Sequence, residues 1–405
     1  MGLFASEQKL HEWFREAISK EDSLADLVVN PDYLENFRPN SDAERILRDG
    51  FARSLRVCAI THTLCDNENI SMKKGEVLRP DFVLYGLEGE GLIIVELKNL
   101  QGPTRQAATE LAAYDAEMRN YLPFIADGDV INVVVSTEWP ALLRHYVFHH
   151  AYWLRREILC LEPIQTANGI RLQIKDIRKL VEAESLIRIE ERNLGGYQIC
   201  LYGDGRSEEE MDGKLAQMRT AVAAMAAKGN ALRSHGFAFL WRDNWELSQA
   251  PYSITILNAA PFQGVGRFLR ELQEGDDLPP IQERLISLVS EYNPEGHSET
   301  LDDVSAFGCN FLKMFCRPRY EGFTSWGPLR KIMLGRCELV SFAGWGLFGE
   351  RHYDRLLSEY ADGNTIILAD DPNIGLKLVD SLVDLENEHF IDVTWFNYDP
   401  EETFT

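Results

Sequence analysis

Asp81, Glu96 and Lys98 are the residues whose types and spacing could do chemistry in this chain. They lie in the stretch from Arg79 to Asn99, RPDFVLYGLEGEGLIIVELKN, where apolar runs at 82–87 and 92–97 flank the glycine-bearing segment 88–91. That pattern predicts a β-hairpin. With the turn centred near Glu88-Gly89, facing residues have numbers summing to about 177, which sets Asp81 opposite Glu96. Side chains alternate along a strand, so Glu96 and Lys98 share a face. Two carboxylates and one ammonium therefore converge at the open end of a greasy hairpin. Adjacent carboxylates raise each other's proton affinity. A divalent cation removes the conflict, because hard cations favour carboxylate oxygens. A lysine two residues from one ligand can then orient the attacking water.

Pro80-Asp81 followed by Glu96-Leu97-Lys98, one acid beginning a strand and an ExK ending the next, resembles the PD-(D/E)XK nuclease superfamily. The resemblance covers about residues 30–160. It implies an αβββαβ core, cleavage of phosphodiester bonds with Mg²⁺ or Mn²⁺, and DNA as the substrate, with RNA left open. Asp81, Glu96 and the Leu97 carbonyl would bind the ion, and Lys98 would position water and stabilise transition-state charge. A glutamate on the family's first helix often adds a third ligand, and Glu44 is the candidate, with Asp42, Asp49 and Glu35 as weaker substitutes. Glu44 is equally accounted for as the partner of Ser41 in a capping box, and both readings stay open. Gln106, in the segment TRQAATELAAY, corresponds to the helix glutamine that faces the site in several branches. Restriction or phage defence is the setting that the resemblance suggests.

The elements that must position these residues read as follows. Helices are expected at 6–19 and 41–55, a strand at 57–63, the hairpin, then a helix at 104–121 opened by Gly102-Pro103. The β-branched run 130–136 reads as a strand buried on both faces, and a helix at 140–156 would cover it. Residues 1–165 thus form the expected mixed α/β domain, and 166–193 a connector with a strand at 170–174. A separate α+β domain, 194–405, would hold strands at 197–202, 237–241, 252–257, 337–343 and 365–370. Its helices would be 207–228, 280–293 and 299–315.

Two further features stand out in the second half. Between Phe311 and Arg336, six bases (Lys313, Arg317, Arg319, Arg330, Lys331 and Arg336) less Glu321 give +5, with Phe315, Tyr320, Phe323 and Trp326 interleaved. Bases for phosphate and aromatics for stacking are what a nucleic-acid contact needs; bases on one face and aromatics in the core explain it as well. Gly344, Gly346 and Gly349 match GxGxxG between a strand and a helix, the dinucleotide fingerprint. Trp345 crowds its first two glycines, and Asp371 already serves as an N-cap before Pro372. A nucleotide-sensing regulator and a catalytically silent DNA-binding module are the rival readings.

Composition bounds all of this. The chain has 405 residues, 45% hydrophobic and 26% charged, with a net charge of −23. Such acidity opposes a general nucleic-acid coat and confines DNA contact to local basic surfaces. Seven scattered cysteines without a CxxC pair suggest neither zinc ribbon nor disulfide framework, and so a reducing cytoplasm. No apolar run is long enough to span a membrane. Self-association is left open.

Overall fold

The computed structural model describes residues 3–385 except 22, 100–104, 182–188, 204, 206, 246–247, 260–279, 282, 285–286, 289–298, 323–324 and 362–367; of 105–108, 190, 192 and 208 it describes the backbone only. The chain is mixed α/β and divides into two compact units, Met1–Ile187 and Arg188–Thr405.

In the first unit, helices α1 (Glu7–Lys20), α2 (Tyr33–Asn36) and α3 (Asp42–Val57) precede β1 (Thr61–Asp66), β2 (Phe82–Gly86) and β3 (Gly91–Lys98). Helix α4 (Arg105–Tyr121), β4 (Val130–Ser136), α5 (Ala141–Phe148), β5 (Ile158–Thr166) and β6 (Gly169–Ile174) complete it. The six strands lie in chain order. β1 to β3 form an antiparallel meander, β3, β4 and β5 run parallel, and β6 returns antiparallel. Every residue of β3 and β4 is buried, because α4 and α1 pack on β3 while α3 packs on β5. A strand covered on both faces reads as a continuous apolar run, as these do.

The caps follow the sequence rules. Ser6 accepts from the Lys9 amide to open α1, and Ser41 accepts from the Glu44 amide to open α3. The hairpin glycines are there for space. A Cβ on Gly86 would sit 2.2 Å from the Val57 carbonyl oxygen, and one on Gly91 would sit 2.6 Å from Val57 Cγ1. The left-handed turn position is taken by Glu90, at φ 49°. Gly86→Ala should therefore cost about 1–3 kcal/mol in thermal unfolding, since the obstacle is backbone. Gly128→Ala, where a Cβ meets nothing within 4 Å, should stay within about 0.5 kcal/mol of the parent.

Four expectations for this unit need correction. The strand expected at 57–63 begins at Thr61, because α3 runs on to Val57. The helix expected at 140–156 is α5 followed by a π-helical turn over His149–Trp153. The expected connector instead contributes β6 to the first sheet. And β5 was hidden by Pro163, which usually demotes a run to an edge. Here β4 pairs with β5 only as far as Leu161, so the missing amide falls beyond its end.

The second unit holds an antiparallel sheet in the order β11 (Arg317–Glu321), β8 (Leu194–Tyr202), β10 (Tyr252–Ala259), β9 (Gly236–Asp243), β12 (Cys337–Trp345). A two-residue parallel pair, β7 (Ile189–Glu190) with β13 (Val383–Asp384), lies apart. Alternation on β9 feeds two cores. Ala238 and Leu240 face the helices Leu215–Ala231 and Glu299–Leu312, while Phe237, Phe239 and Trp241 face Trp326, Phe348 and Leu378. The helix expected at 207–228 is split at Gly213 into Glu208–Asp212 and Leu215–Ala231. Most of the helix expected at 280–293 lies outside the described residues. So does 365–367 of the last expected strand, and Ala369-Asp370 form a turn. Five of the seven cysteines are buried and none is in a disulfide. Among the described residues no helix is long and apolar enough to cross a membrane.

Candidate active site

The hairpin register builds the site. Phe82 faces Val95, Val83 faces Ile94 and Gly86 faces Gly91. One step further brings Asp81 to Glu96. The Leu97 amide donates to Asp81 Oδ2 at 2.7 Å, tying the first acid to the middle of the ExK. From the other side the Asn67 amide holds the Asp81 carbonyl at 3.0 Å. The Tyr114 hydroxyl on α4 donates to the Arg79 carbonyl at 2.9 Å. Asp81 is thus anchored by β3, by the end of β1 and by α4.

Lys98 turns back onto the same face as Glu96, with Nζ 2.6 Å from Glu96 Oε1. It also donates to Glu110 Oε2 of α4 at 3.1 Å and lies 3.9 Å from Glu7 Oε1 of α1. Four carboxylates (Glu7, Asp81, Glu96, Glu110) thus gather about one ammonium, three more negative charges than positive when all are ionised. His11 adds its ring to the rim, stacked on Phe82 with Nε2 3.4 Å from the Asp81 carbonyl oxygen and 3.5 Å from Asp66 Oδ1.

Burial governs the protonation of this cluster. It pushes the Asp81 carboxyl up to about 6, against the pull of the Leu97 amide, Lys98 and His11. Glu96, only 2% exposed, is raised by burial and then by the Asp81 charge, with Lys98 opposing. For Lys98 burial acts downward, but Glu96, Glu7 and Glu110 outweigh it and hold the ammonium above its ordinary value. Lys98 is therefore a charged donor, not a base.

The backbone adds an acceptor. The Lys98 carbonyl accepts from the Thr137 amide on the β4 side. In a strand, N–H and C=O of one residue point the same way and alternate from residue to residue. The Leu97 carbonyl therefore turns toward β2 with its amide, on the side of Asp81. Among the described residues, no three His, Cys, Asp or Glu side chains stand close enough to hold a metal ion by themselves. Mg²⁺ commonly keeps several waters and takes only one or two carboxylates together with substrate phosphates. Two carboxylates with excess negative charge and one inward carbonyl fit that donor set.

The other expected site residues are placed differently. Glu44 stands at the first turn of α3, where Oε2 accepts from the Asn40 amide at 2.7 Å and Oε1 lies 3.7 Å from Arg178 Nε. Its carboxylate is spent on the helix cap and an ion pair. The glutamate that reaches Lys98 from a preceding helix is Glu7, on α1. Gln106 falls in the first turn of α4, but its side chain lies outside those described. In the sequence Glu7 and His11 are an i, i+4 pair beside the buried Leu10 and Phe14, and Glu110 precedes Tyr114 by four. Those spacings put each pair on one helix face, yet nothing local says that the face meets β3.

The basic run between Phe311 and Arg336 is partly neutralised within the second unit. Arg330 pairs bidentately with Asp380 and Arg336 with Asp243. Phe315 and Trp326 belong to the core, and the Tyr320 hydroxyl is hydrogen-bonded to Ser305. Lys313 donates to Asn310, and the Arg319 guanidinium lies over the Tyr202 ring at 5.9 Å. Arg317 and Arg319 line a cavity on β11 with Tyr202, and Lys331 sits on the helix Trp326–Arg336.

The glycine loop has packing reasons. A Cβ on Gly344 would meet the Phe348 carbonyl carbon at 2.9 Å, and one on Gly346 the Ser234 carbonyl oxygen at 2.3 Å. The Gly346 amide donates to Asn230 Oδ1 and the Leu347 amide to His235 Nδ1. Amides that would cradle a phosphate are already occupied. β12 is also antiparallel to β9, whereas a dinucleotide site needs parallel βαβ units.

Comparison with models of protein families, with curated proteins and with solved structures finds no match to this chain.

Proposed function

We propose that the first unit is a metal-dependent phosphodiesterase acting on nucleic acid, with DNA as the first substrate to test and Mg²⁺ or Mn²⁺ as its ion. One observation carries the reading: two buried carboxylates from adjoining strands abut, with a charged lysine 2.6 Å from one of them. A fold gains nothing from opposed buried acids unless something positive joins them. The succession of α3, the β1–β3 meander, α4 and β4 parallel to β3 supports the PD-(D/E)XK resemblance.

Asp81, Glu96 and the Leu97 carbonyl would hold the ion. When bound, it supplies Lewis-acid activation of water and neutralises charge at the phosphate. Lys98 donates to the attacking water and then to the oxyanion that grows on phosphorus. Glu110 and Glu7 keep Lys98 protonated and aimed.

The test is cleavage of supercoiled plasmid with Mg²⁺, Mn²⁺ or EDTA. Nicking that needs the ion is expected; no cleavage with either ion overturns the reading. A DNA-binding module without chemistry is the second reading, favoured by the lack of a three-residue ligand group among the described residues. Retained binding without cleavage would select it.

Glu7 and Glu44 separate in this scheme. Glu7→Gln should lower the cleavage rate about 10- to 100-fold by loosening Lys98. Glu44→Gln should leave the rate within about twofold and cost about 0.5–1 kcal/mol through the weakened cap. Rates and melting temperatures of the two variants decide it; equal loss of rate in both would restore Glu44 to the site.

A further inference from the structure

A second cluster of cations lies on the sheet face that carries Glu96 and Lys98. Arg144 of α5, Lys175 after β6, Lys179, Trp139 and Val181 line a cavity of about 450 Å³. The register fixes its place. Glu96 faces Val134 and Val134 faces Cys160, whose carbonyl accepts from the Lys175 amide at 2.9 Å. Registered neighbours point to one face of a sheet. Lys175 is therefore three strands from Glu96 in the same row, roughly 14 Å away at the usual strand spacing. That is about four base-pair rises of a duplex.

The cations are set in place. Lys175 is 9% exposed, pairs with Glu162 at 2.5 Å and lies 5.7 Å from the centre of the Trp139 ring. Arg144 Nη1 donates to the Trp139 carbonyl at 2.8 Å, which fixes the guanidinium at the turn leaving β4. Lys179 is exposed. Three cations against Glu162 leave two positive charges among the described residues, in a chain whose net charge is −23. Holding cations in a partly buried cavity costs desolvation, which a bound anion repays. Their row on the sheet points that anion toward the hydrolytic centre.

We infer that this cavity binds a backbone phosphate of the nucleic-acid strand whose scissile bond lies over Lys98. The inference rests on the phosphodiesterase reading and adds a positioning subsite that sets how far from the cut the strand must be held. Arg144 and Lys179 are positioning residues.

The experiment measures binding of a labelled 25-base-pair duplex to the full chain carrying Lys98→Ala, in Mg²⁺, from 50 to 200 mM salt. Adding Lys179→Glu and Arg144→Ala should weaken binding about tenfold or more at 100 mM. The slope of log K against log salt should become shallower by about 0.9 for each phosphate that the protein no longer neutralises. Arg144→Lys keeps the charge and should retain most of the affinity, so a merely structural role of Arg144 is told apart. In chains with Lys98 intact, Lys179→Glu should raise KM for plasmid with kcat changed less. If the intact chain cleaves while the double variant binds with unchanged affinity and slope, the subsite is wrong and the phosphodiesterase reading stands. If the intact chain neither binds nor cleaves nucleic acid, both fall.

Discussion

Lys98→Ala should lower the rate of metal-dependent plasmid cleavage about 10²- to 10³-fold, the loss usual when one preorganised donor to a developing oxyanion is removed. Lys98 is held as an ammonium by Glu96, Glu7 and Glu110, so its contribution is a hydrogen bond and a charge that matter most in the transition state. The loss should accordingly fall on kcat, with KM nearly unchanged. Glu96→Ala should reduce cleavage to background, because it removes a ligand and leaves Lys98 to its outer partners. Both variants should still bind the duplex, and both should melt cooperatively. Cleavage that survives Glu96→Ala at more than a tenth of the parent rate would mean that the acids of this hairpin are not the hydrolytic centre.

Asp81→Asn should do the opposite to stability. Burial raises the Asp81 carboxyl from its ordinary value to about 6, so the folded protein binds that proton more tightly than the unfolded chain does. The associated stability is fully present below about pH 4 and is lost as pH rises through about 6. A shift of roughly two units corresponds to about 3 kcal/mol at most. The metal-free protein should therefore lose stability between about pH 4 and 6, and Asp81→Asn should recover part of it at pH 7.5. Asparagine still offers Oδ1 to the Leu97 amide, so the anchoring bond is kept. A divalent ion at a hundred times its dissociation constant should add about 2.7 kcal/mol to the parent, and much less to the variant. Thermal unfolding with EDTA and with Mn²⁺, from pH 4 to 8, reads all of these. A flat profile without metal, together with no gain in Asp81→Asn, would show that the carboxylates are not in conflict.

These two results bear on one feature from opposite sides. Acids that are costly to the empty fold and necessary to the reaction are what selection for activity retains. Inert structural acids would show neither effect.

The hairpin was legible because every constraint on it is local. The apolar runs, the four-residue turn and the period of two fix the register within about twenty residues, and Asp81 and Glu96 meet where the numbering places them. The caps at Ser6, Ser41 and Ser207 were legible for the same reason, since a cap partner lies three residues away. The third glutamate was not. Glu44 and Glu7 look alike along the chain, and only the packing of α1 on β3, some ninety residues distant, chooses Glu7. β5 was missed because Pro163 reads as a strand breaker until the length of β4 is known. The basic run in the second half was over-read because Asp380 and Asp243 come from elsewhere to pair with it. The sequence by itself determined which side chains could do chemistry and the strands that carry them. Tertiary structure decided which helices close over those strands, because that choice rests on the joint burial of distant apolar faces, which no short stretch of chain encodes.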